Sequence, residues 1–198
     1  MSLNSLQPRT TALIIMILLA AAFRLVQSSN VFSILSNVTP VGAIALFGGC
    51  YFHDRWKAFL VPLLALFISD IVINRIFYFD HWTFFYSGAY WVYGSFALVV
   101  LLGHLIKKVT FTSVLISAIG AAVLHWLVSD FGVWAAGGTD FTTGIPFTRD
   151  FSGYVRCLYV ALPFLRNMAV GNLVFCGVLF GAFEWMQQKY PTLKIQEA

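Results

Sequence analysis

Residues 57–78 read KAFLVPLLALFISDIVINRIFY, a run of 22 residues whose polar side chains lie mostly in its second half. As a helix, a run of that length would extend about 33 Å, enough to cross the roughly 30 Å hydrocarbon core of a bilayer. Asp70 and Asn74 are four residues apart, so they share one face of that helix. The segment therefore predicts a transmembrane helix whose polar groups are confined to one half of the membrane.

The composition of the whole chain extends this prediction. Its 198 residues are 60% hydrophobic and only 10% charged, whereas soluble domains usually contain about 25% charged residues. The chain therefore predicts an integral membrane protein with a single membrane domain over residues 1–198. The net charge of +4 is small and Lys107–Lys108 is the longest basic cluster, so we expect the lipid bilayer, and no nucleic acid, as a partner.

Six apolar runs predict an all-α bundle of six transmembrane helices, at residues 10–26, 40–52, 57–78, 88–106, 112–129 and 166–186. A cleaved signal peptide is the minor alternative for the first run, which is long for that purpose. Residues 28–39 mix polar and apolar side chains and predict an interfacial segment. Residues 152–165 predict either an interfacial helix or an extension of the last helix that is kinked at Pro163.

The distribution of Lys and Arg predicts the orientation of the bundle. With the N-terminus inside, seven of the 12 Lys and Arg residues lie on the cytoplasmic side and five lie outside or in the outer half. Both termini are then cytoplasmic, and the long connections face outward. We expect a multi-pass protein of the bacterial cytoplasmic membrane, with its functional loops on the outer side.

Charged and amide side chains from four of the predicted helices fall at one depth, near the outer ends. These residues are Arg24, Asp70, Asn74, His125, Asp130, Arg166 and Asn167. Such side chains are costly inside a membrane unless they are paired or face a cavity. Two hypotheses follow: an Arg24–Asp70 ion pair holds the bundle together, or the whole set surrounds a binding cavity that opens outward.

Aromatic side chains are concentrated at the same depth. Those that would wall a cavity, with one histidine among them, are His81, Trp82, Tyr86, Tyr90, Trp91, Trp126 and Trp134. Rings combined with a few directed polar groups are typical of small-molecule sites. An aromatic belt at the membrane interface is the alternative for any single ring.

The sequence carries no motif of an enzyme active site, since GxSxG, HExxH, Walker A and GxGxxG are all missing. We therefore expect no enzyme and no resident cofactor. Three alternatives to a binding protein remain: a membrane electron carrier with haem between histidines, a small enzyme acting on a lipid headgroup, and an accessory subunit without a ligand.

Small residues four positions apart predict close helix contacts. Ala45 and Gly49 form one such pair, and Gly177 and Gly181 form another. Packing within the chain is the main interpretation, and docking of a partner membrane protein is the alternative.

Two stretches carry a resemblance to a known family: residues 37–52, NVTPVGAIALFGGCYF, and residues 62–70, PLLALFISD. With residues 130–134 and 162–167, they resemble an uncharacterised family of bacterial transport proteins over about residues 10–186. That family is in turn similar to the substrate-binding S components of energy-coupling-factor (ECF) vitamin transporters. The resemblance implies six helices, cytoplasmic termini and a vitamin pocket capped by outer loops.

The resemblance also implies partners and ligands. S components dock on an ECF energising module through small residues of their first helix, where this chain has Ala12, Met16 and Ala20. Because Met16 departs from that pattern, a solitary mode is the alternative. A cobalamin-like substrate, with His81 as a possible axial ligand to its cobalt, is one expectation, although the cysteine that some cobalamin-type members use is missing here. Ser2 replaces the histidine of the nickel and cobalt members, so no metal is expected as cargo.

Overall fold

The computed structural model describes residues 7–27 and 38–194, and its regular elements there are helical throughout. The helices are α1 (Pro8–Gln27), α2 (Val41–Tyr51), α3 (Arg55–Ile73), α4 (Ala89–His104), α5 (Phe111–Ala135), α6 (Phe151–Val160) and α7 (Leu162–Lys189). A π-helical turn (Asn74–Tyr78) continues α3, and a 3-10 turn (Pro191–Leu193) follows α7. One isolated bridge, between Thr139 and Pro146, is the sole β pairing of the described part. The prediction of an all-α fold is confirmed.

Four helices of the described residues are long and apolar enough to cross a membrane: α1, α3 with its π turn, α5 and α7. Their outer faces expose large apolar side chains, as at Leu19 in α1 and Phe111 in α5. Apolar surface of this extent is unusual on a water-soluble monomer. The helices therefore support the prediction of a membrane protein with transmembrane helices.

Helix α2 is enclosed by the rest of the bundle. It packs against α1, α3, α4, α5 and α7, and nearly all of its residues are buried. A helix that is apolar on every side is suited to such a position. Gly49 allows the closest approach, because a Cβ there would lie 2.2 Å from the carbonyl oxygen of Val100 in α4. The interpretation of the α2 small-residue pattern as packing within the chain is confirmed.

Two polar clusters define the two ends of the bundle. At one end, the Arg9 guanidinium donates to the Tyr51 carbonyl, to Gln187 and to the Leu193 carbonyl, which joins the start of α1 to the ends of α2 and α7. At the other end, Arg24 contacts Asp70, which joins the ends of α1 and α3. The chain thus runs up and down through the bundle, with the predicted cytoplasmic ends together at one side.

The element boundaries differ from the sequence prediction at the C-terminal half. Helix α5 continues to Ala135, six residues beyond its predicted end. The stretch 152–165 is divided, because α6 ends before Ala161 and α7 starts at once with Pro163 in its first turn. Proline suits a first turn because its missing N–H has no helical acceptor there. The predicted interfacial segment 28–39 lies outside the described residues except for its last two positions.

Candidate functional site

An ion pair anchors the end of the bundle that the sequence predicts to face outward. Arg24 Nη2 lies 2.6 Å from Asp70 Oδ1, and Arg24 Nη1 donates to Ser69 Oγ at 2.6 Å. The other oxygen of Asp70 accepts from the Tyr93 hydroxyl at 2.8 Å. Asp70 is only 4% exposed, so its carboxylate is fully engaged by α1 and α4. The predicted Arg24–Asp70 pair is present, and it ties three helices together.

A cavity of about 260 Å³ lies beside this ion pair. Six of the seven helices, all except α6, and the segments before α2 and α4 contribute to its wall, which carries both polar and apolar side chains. Its polar side chains are Arg24, Thr39, Tyr86, His125, Ser129 and Asp130. Helix α5 supplies three of these because positions 125 and 129 are one turn apart, with 130 adjacent.

His125 is oriented by a neighbouring hydroxyl. Its Nδ1 lies 2.6 Å from Ser95 Oγ, and Ser95 donates its one hydroxyl hydrogen to the Val92 carbonyl at 2.6 Å. With the Ser95 hydrogen directed to the Val92 carbonyl, Nδ1 of His125 is assigned as the nitrogen that carries the hydrogen and donates to Ser95. The ring also stacks on Phe96 at a centroid distance of 4.5 Å. This arrangement leaves Nε2 as the ring nitrogen available to a ligand.

The indole of Trp126 also lines the cavity. Its Nε1–H is buried and has no hydrogen-bond acceptor. A buried indole N–H normally finds a partner, because leaving a donor unsatisfied costs about 1–3 kcal/mol. The position of Trp126 is thus suited to donate to an acceptor that enters the cavity.

Asp130 carries the unbalanced charge of the site. No cation or hydrogen-bond donor of the described residues contacts its carboxylate, and its backbone carbonyl alone is engaged, by the Cys157 thiol. Every Lys and Arg of the sequence lies within residues 7–27 and 38–194. Asp130 is therefore without a side-chain cation from this chain.

Tyr86 approaches the cavity from the loop before α4. Burial, and then the nearby carboxylate of Asp70, raise the pKa of its hydroxyl above the usual value. The hydroxyl consequently stays protonated at all physiological pH values, so Tyr86 can donate a hydrogen bond to a bound molecule.

The loop between α5 and α6, residues 136–150, lies next to the cavity; we call it the outer loop after its predicted orientation. Phe141 of this loop packs on Phe164, a cavity-lining residue, at a ring distance of 5.9 Å. Within the loop, Asp140 accepts two hydrogen bonds from Thr142 and one from Arg156. The bonds from Thr142, followed by the contact with Arg156, lower the pKa of Asp140 to about 2. These bonds hold the loop in a defined conformation beside the cavity.

The structure brings some of the predicted site residues to the cavity and places the others elsewhere. Arg24, Tyr86, His125 and Asp130 line it together with Trp126, and Asp70 stands behind Arg24. The aromatic residues His81, Trp82 and Tyr90 are exposed. Their contact with a ligand stays a prediction. It gains no support from this cavity, because its described lining contains none of the three.

The remaining predicted residues have other neighbours. Trp91 packs on Gly132 and Phe131, and the indole of Trp134 donates to the Thr148 carbonyl at 2.8 Å. Asn74 is buried, and its amide faces the Thr83 carbonyl at 3.5 Å. Arg166 is exposed and its Nε donates to Asn167 at 3.3 Å. None of these five predicted residues, Asn167 included, is among the described residues that line the cavity.

Sequence reasoning missed several hydroxyl-bearing residues of the site. Ser95 orients His125, and Tyr93 donates a hydrogen bond to Asp70. Ser129 lines the cavity, and its hydroxyl donates to the His125 carbonyl at 2.7 Å. Ser129 follows His125 by four residues, and that spacing could have indicated a shared face. Ser95 and Tyr93 lie in an apolar helix and carry no comparable signal.

No metal centre is indicated by the geometry of residues 7–27 and 38–194. That part of the chain contains no group of three or more His, Cys, Asp or Glu side chains placed to hold a metal ion. The histidines are dispersed: His53 and His81 are exposed, and His104 lies at the opposite end of the bundle from His125.

Comparison with known proteins gives one family and no functional relative. No curated protein and no solved structure matches the chain. A family model matches residues 4–193, and the chain belongs to this family, a family of unknown function named DUF6580.

Proposed function

We propose that the protein is a substrate-binding membrane transport protein, which captures a small metabolite in its outward-facing cavity for uptake. One observation carries the proposal: polar groups from α1, α5 and the loop before α4 converge on a single cavity at one end of the bundle. At the opposite end, the Arg9 guanidinium is engaged by the Gln187 side chain and by the Tyr51 and Leu193 carbonyls. This asymmetry is what capture from one side of a membrane requires.

We further propose six membrane crossings, with α2 and α4 as the two short ones. Helix α2 has 11 residues and rises about 16 Å, which is less than the bilayer core. Because α2 is enclosed by five other helices, its ends meet protein rather than lipid. Six crossings leave both termini on the cytoplasmic side, in agreement with the Lys and Arg distribution.

The resemblance to ECF S components is compatible with this function, and the structure bears on the partner. Ala20 of the predicted docking patch is buried, and Ala12 and Met16 pack against the bundle core. A face turned toward the core is poorly available to an energising module. We therefore favour the solitary mode over docking through α1.

The size of the cavity bears on the substrate. At about 260 Å³ it falls just below the range of about 300–1,000 Å³ typical for pockets that enclose drug-sized ligands. A corrin ring with its nucleotide is far larger than that, and the exposed His81 does not face the cavity. The geometry thus favours a small metabolite over cobalamin. The haem alternative has less support, because His125 is the one histidine among the described residues that line this cavity, so no second histidine faces it as an opposing axial ligand.

Native mass spectrometry of the detergent-purified protein, after incubation with a metabolite extract of the expression host, tests the proposal. We expect an added mass from one bound small molecule. The His125→Ala variant should lose it, whereas His81→Ala, which changes an exposed histidine, should keep it. Folded wild-type protein that binds nothing from the extract would refute capture.

A further inference from the structure

We propose that the captured molecule is a small organic cation of one or two rings that also offers a hydrogen-bond acceptor. This inference rests on the proposed function and adds the chemical class of the substrate. It depends on the juxtaposition of Asp130, Trp126 and His125 in one cavity.

The charged residues of the cavity favour a cationic ligand. The guanidinium of Arg24 is matched by the carboxylate of Asp70 at 2.6 Å. Asp130 then contributes a second carboxylate with no positive partner. The stretch 28–37, which precedes the cavity residue Thr39, has no charged side chain in its sequence, so it supplies no counter-ion. A carboxylate at this depth is costly when alone, and a cationic ligand would relieve that cost.

The aromatic wall suits the same class of molecule. Tyr86, Phe96, Trp126 and Phe164 present rings to the cavity. Aromatic faces attract organic cations, and the attraction is stronger when the pair is shielded from water. A ring-bearing amine or a charged heterocycle could therefore stack on this wall while its positive group reaches Asp130.

The two remaining polar groups specify the rest of the ligand. The buried Nε1–H of Trp126 has no acceptor, so a ligand atom with a lone pair would satisfy it. His125, fixed by Ser95, presents Nε2 as a hydrogen-bond acceptor. The ligand would thus donate to Nε2 and accept from Nε1–H, in addition to its charge contact with Asp130.

Capillary electrophoresis coupled to mass spectrometry tests the charge of what is retained. Wild-type protein in nanodiscs is incubated with a metabolite extract of the expression host, washed and eluted, and the mobility of the retained compounds at pH 7 is recorded. Asp130→Asn is the test variant, since it keeps the side-chain shape and removes the unpaired charge. Asp80→Asn is the matched control, because Asp80 is exposed and lies outside the cavity.

We expect the dominant retained compound to migrate as a cation. Its retention should fall at least about tenfold in Asp130→Asn and stay unchanged in Asp80→Asn, with melting temperatures showing that both variants are folded. A retained compound that is neutral or anionic, or equal retention by Asp130→Asn, would overturn the inference while leaving capture itself intact. A wild-type protein that retains nothing would overturn both.

Discussion

The side chain of Asn172 in α7 fills the space that a side chain at position 42 in α2 would need. A Cβ built on Gly42 would lie 2.3 Å from Asn172 Oδ1. Asn172 is itself fully buried, and its amide nitrogen donates to the Ala118 carbonyl of α5 at 3.1 Å. This contact joins α2, α5 and α7 at the level just below the cavity. Its Oδ1 has no partner, so the amide is held by packing and by one hydrogen bond.

The first prediction concerns this contact. Gly42→Ala should destabilise the protein by about 1–3 kcal/mol, because the new methyl group overlaps a buried amide that has no room to move. Helix propensity opposes this loss by about 1 kcal/mol and should be outweighed. The melting temperature of the purified protein in detergent measures the effect.

Two further variants separate overlap from other causes. In Asn172→Ala the obstructing amide is removed, so adding Gly42→Ala to that background should cost much less than it does in the wild type. Gly177→Ala is the matched control, since a Cβ there meets nothing within 4 Å, and it should be neutral or slightly stabilising. Equal losses for Gly42→Ala in both backgrounds would contradict the packing explanation.

The second prediction concerns the ion pair of Arg24 and Asp70. Asp70→Ala removes the carboxylate that lies against the partly buried Arg24 guanidinium, and breaking a buried ion pair typically costs about 3–5 kcal/mol. We expect a sharply reduced yield of folded protein, measured by size-exclusion chromatography in detergent. Asp54→Ala is the control, because its ion pair with Lys57 is solvent-accessible and should contribute little to stability. Normal yield and stability for Asp70→Ala would show that the pair is dispensable for folding.

The third prediction concerns the acid sensitivity of the outer loop. The pKa of Asp140 is lowered to about 2 in the folded state, against about 3.9 in an unfolded chain. A depressed carboxyl pKa stabilises the fold above the unfolded value, and this contribution is lost as the pH falls from about 4 to 2. The protection factors of residues 136–150 in hydrogen exchange, corrected for the intrinsic exchange rate at each pH, should therefore fall over that pH range.

Variants of the hydrogen-bond donors identify the cause. Thr142→Val removes the main group that lowers the Asp140 pKa, so the folded-state pKa lies closer to the unfolded value and the acid-induced loss of protection should be smaller. Thr143→Val is the matched control, because the Thr143 hydroxyl bonds to the Ile145 amide and not to the Asp140 carboxylate. Identical profiles for Thr142→Val and the wild type would show that these bonds do not set the titration.

The sequence predicted the depth of the polar groups better than their direction around each helix. Hydropathy locates Arg24 and Asp130 along the membrane normal, and both line the predicted cavity. Helix α4, by contrast, is apolar on all sides, so no pattern distinguishes the exposed Tyr90 from Tyr93, which bonds to Asp70. Periodicity specifies a buried face only when the opposite face is polar, and lipid removes that contrast.

The sequence also did not predict which aromatic side chains of the loop before α4 enter the cavity. Tyr86 enters the cavity while Trp82, four residues earlier, is 62% exposed. The difference arises from the π turn after α3 and from Gly88, whose positive φ of 83° redirects the chain into α4. Neither feature follows from local propensity, since π turns depend on tertiary packing.

The last prediction distinguishes a functional indole from a structural one. Trp126→Phe removes an N–H that has no acceptor in the protein, so stability should be unchanged or slightly higher, because an unsatisfied donor disappears. Retention of the metabolite in the nanodisc assay should nevertheless fall.

Trp134→Phe is the matched control: it removes the bond to the Thr148 carbonyl, so the melting temperature should drop by the equivalent of about 1 kcal/mol with retention preserved. The two variants thus predict opposite patterns in the same pair of measurements. Should Trp126→Phe lower the melting temperature and leave retention intact, its indole would have a structural role, and the cavity would lose its one unsatisfied donor as an argument for a bound acceptor.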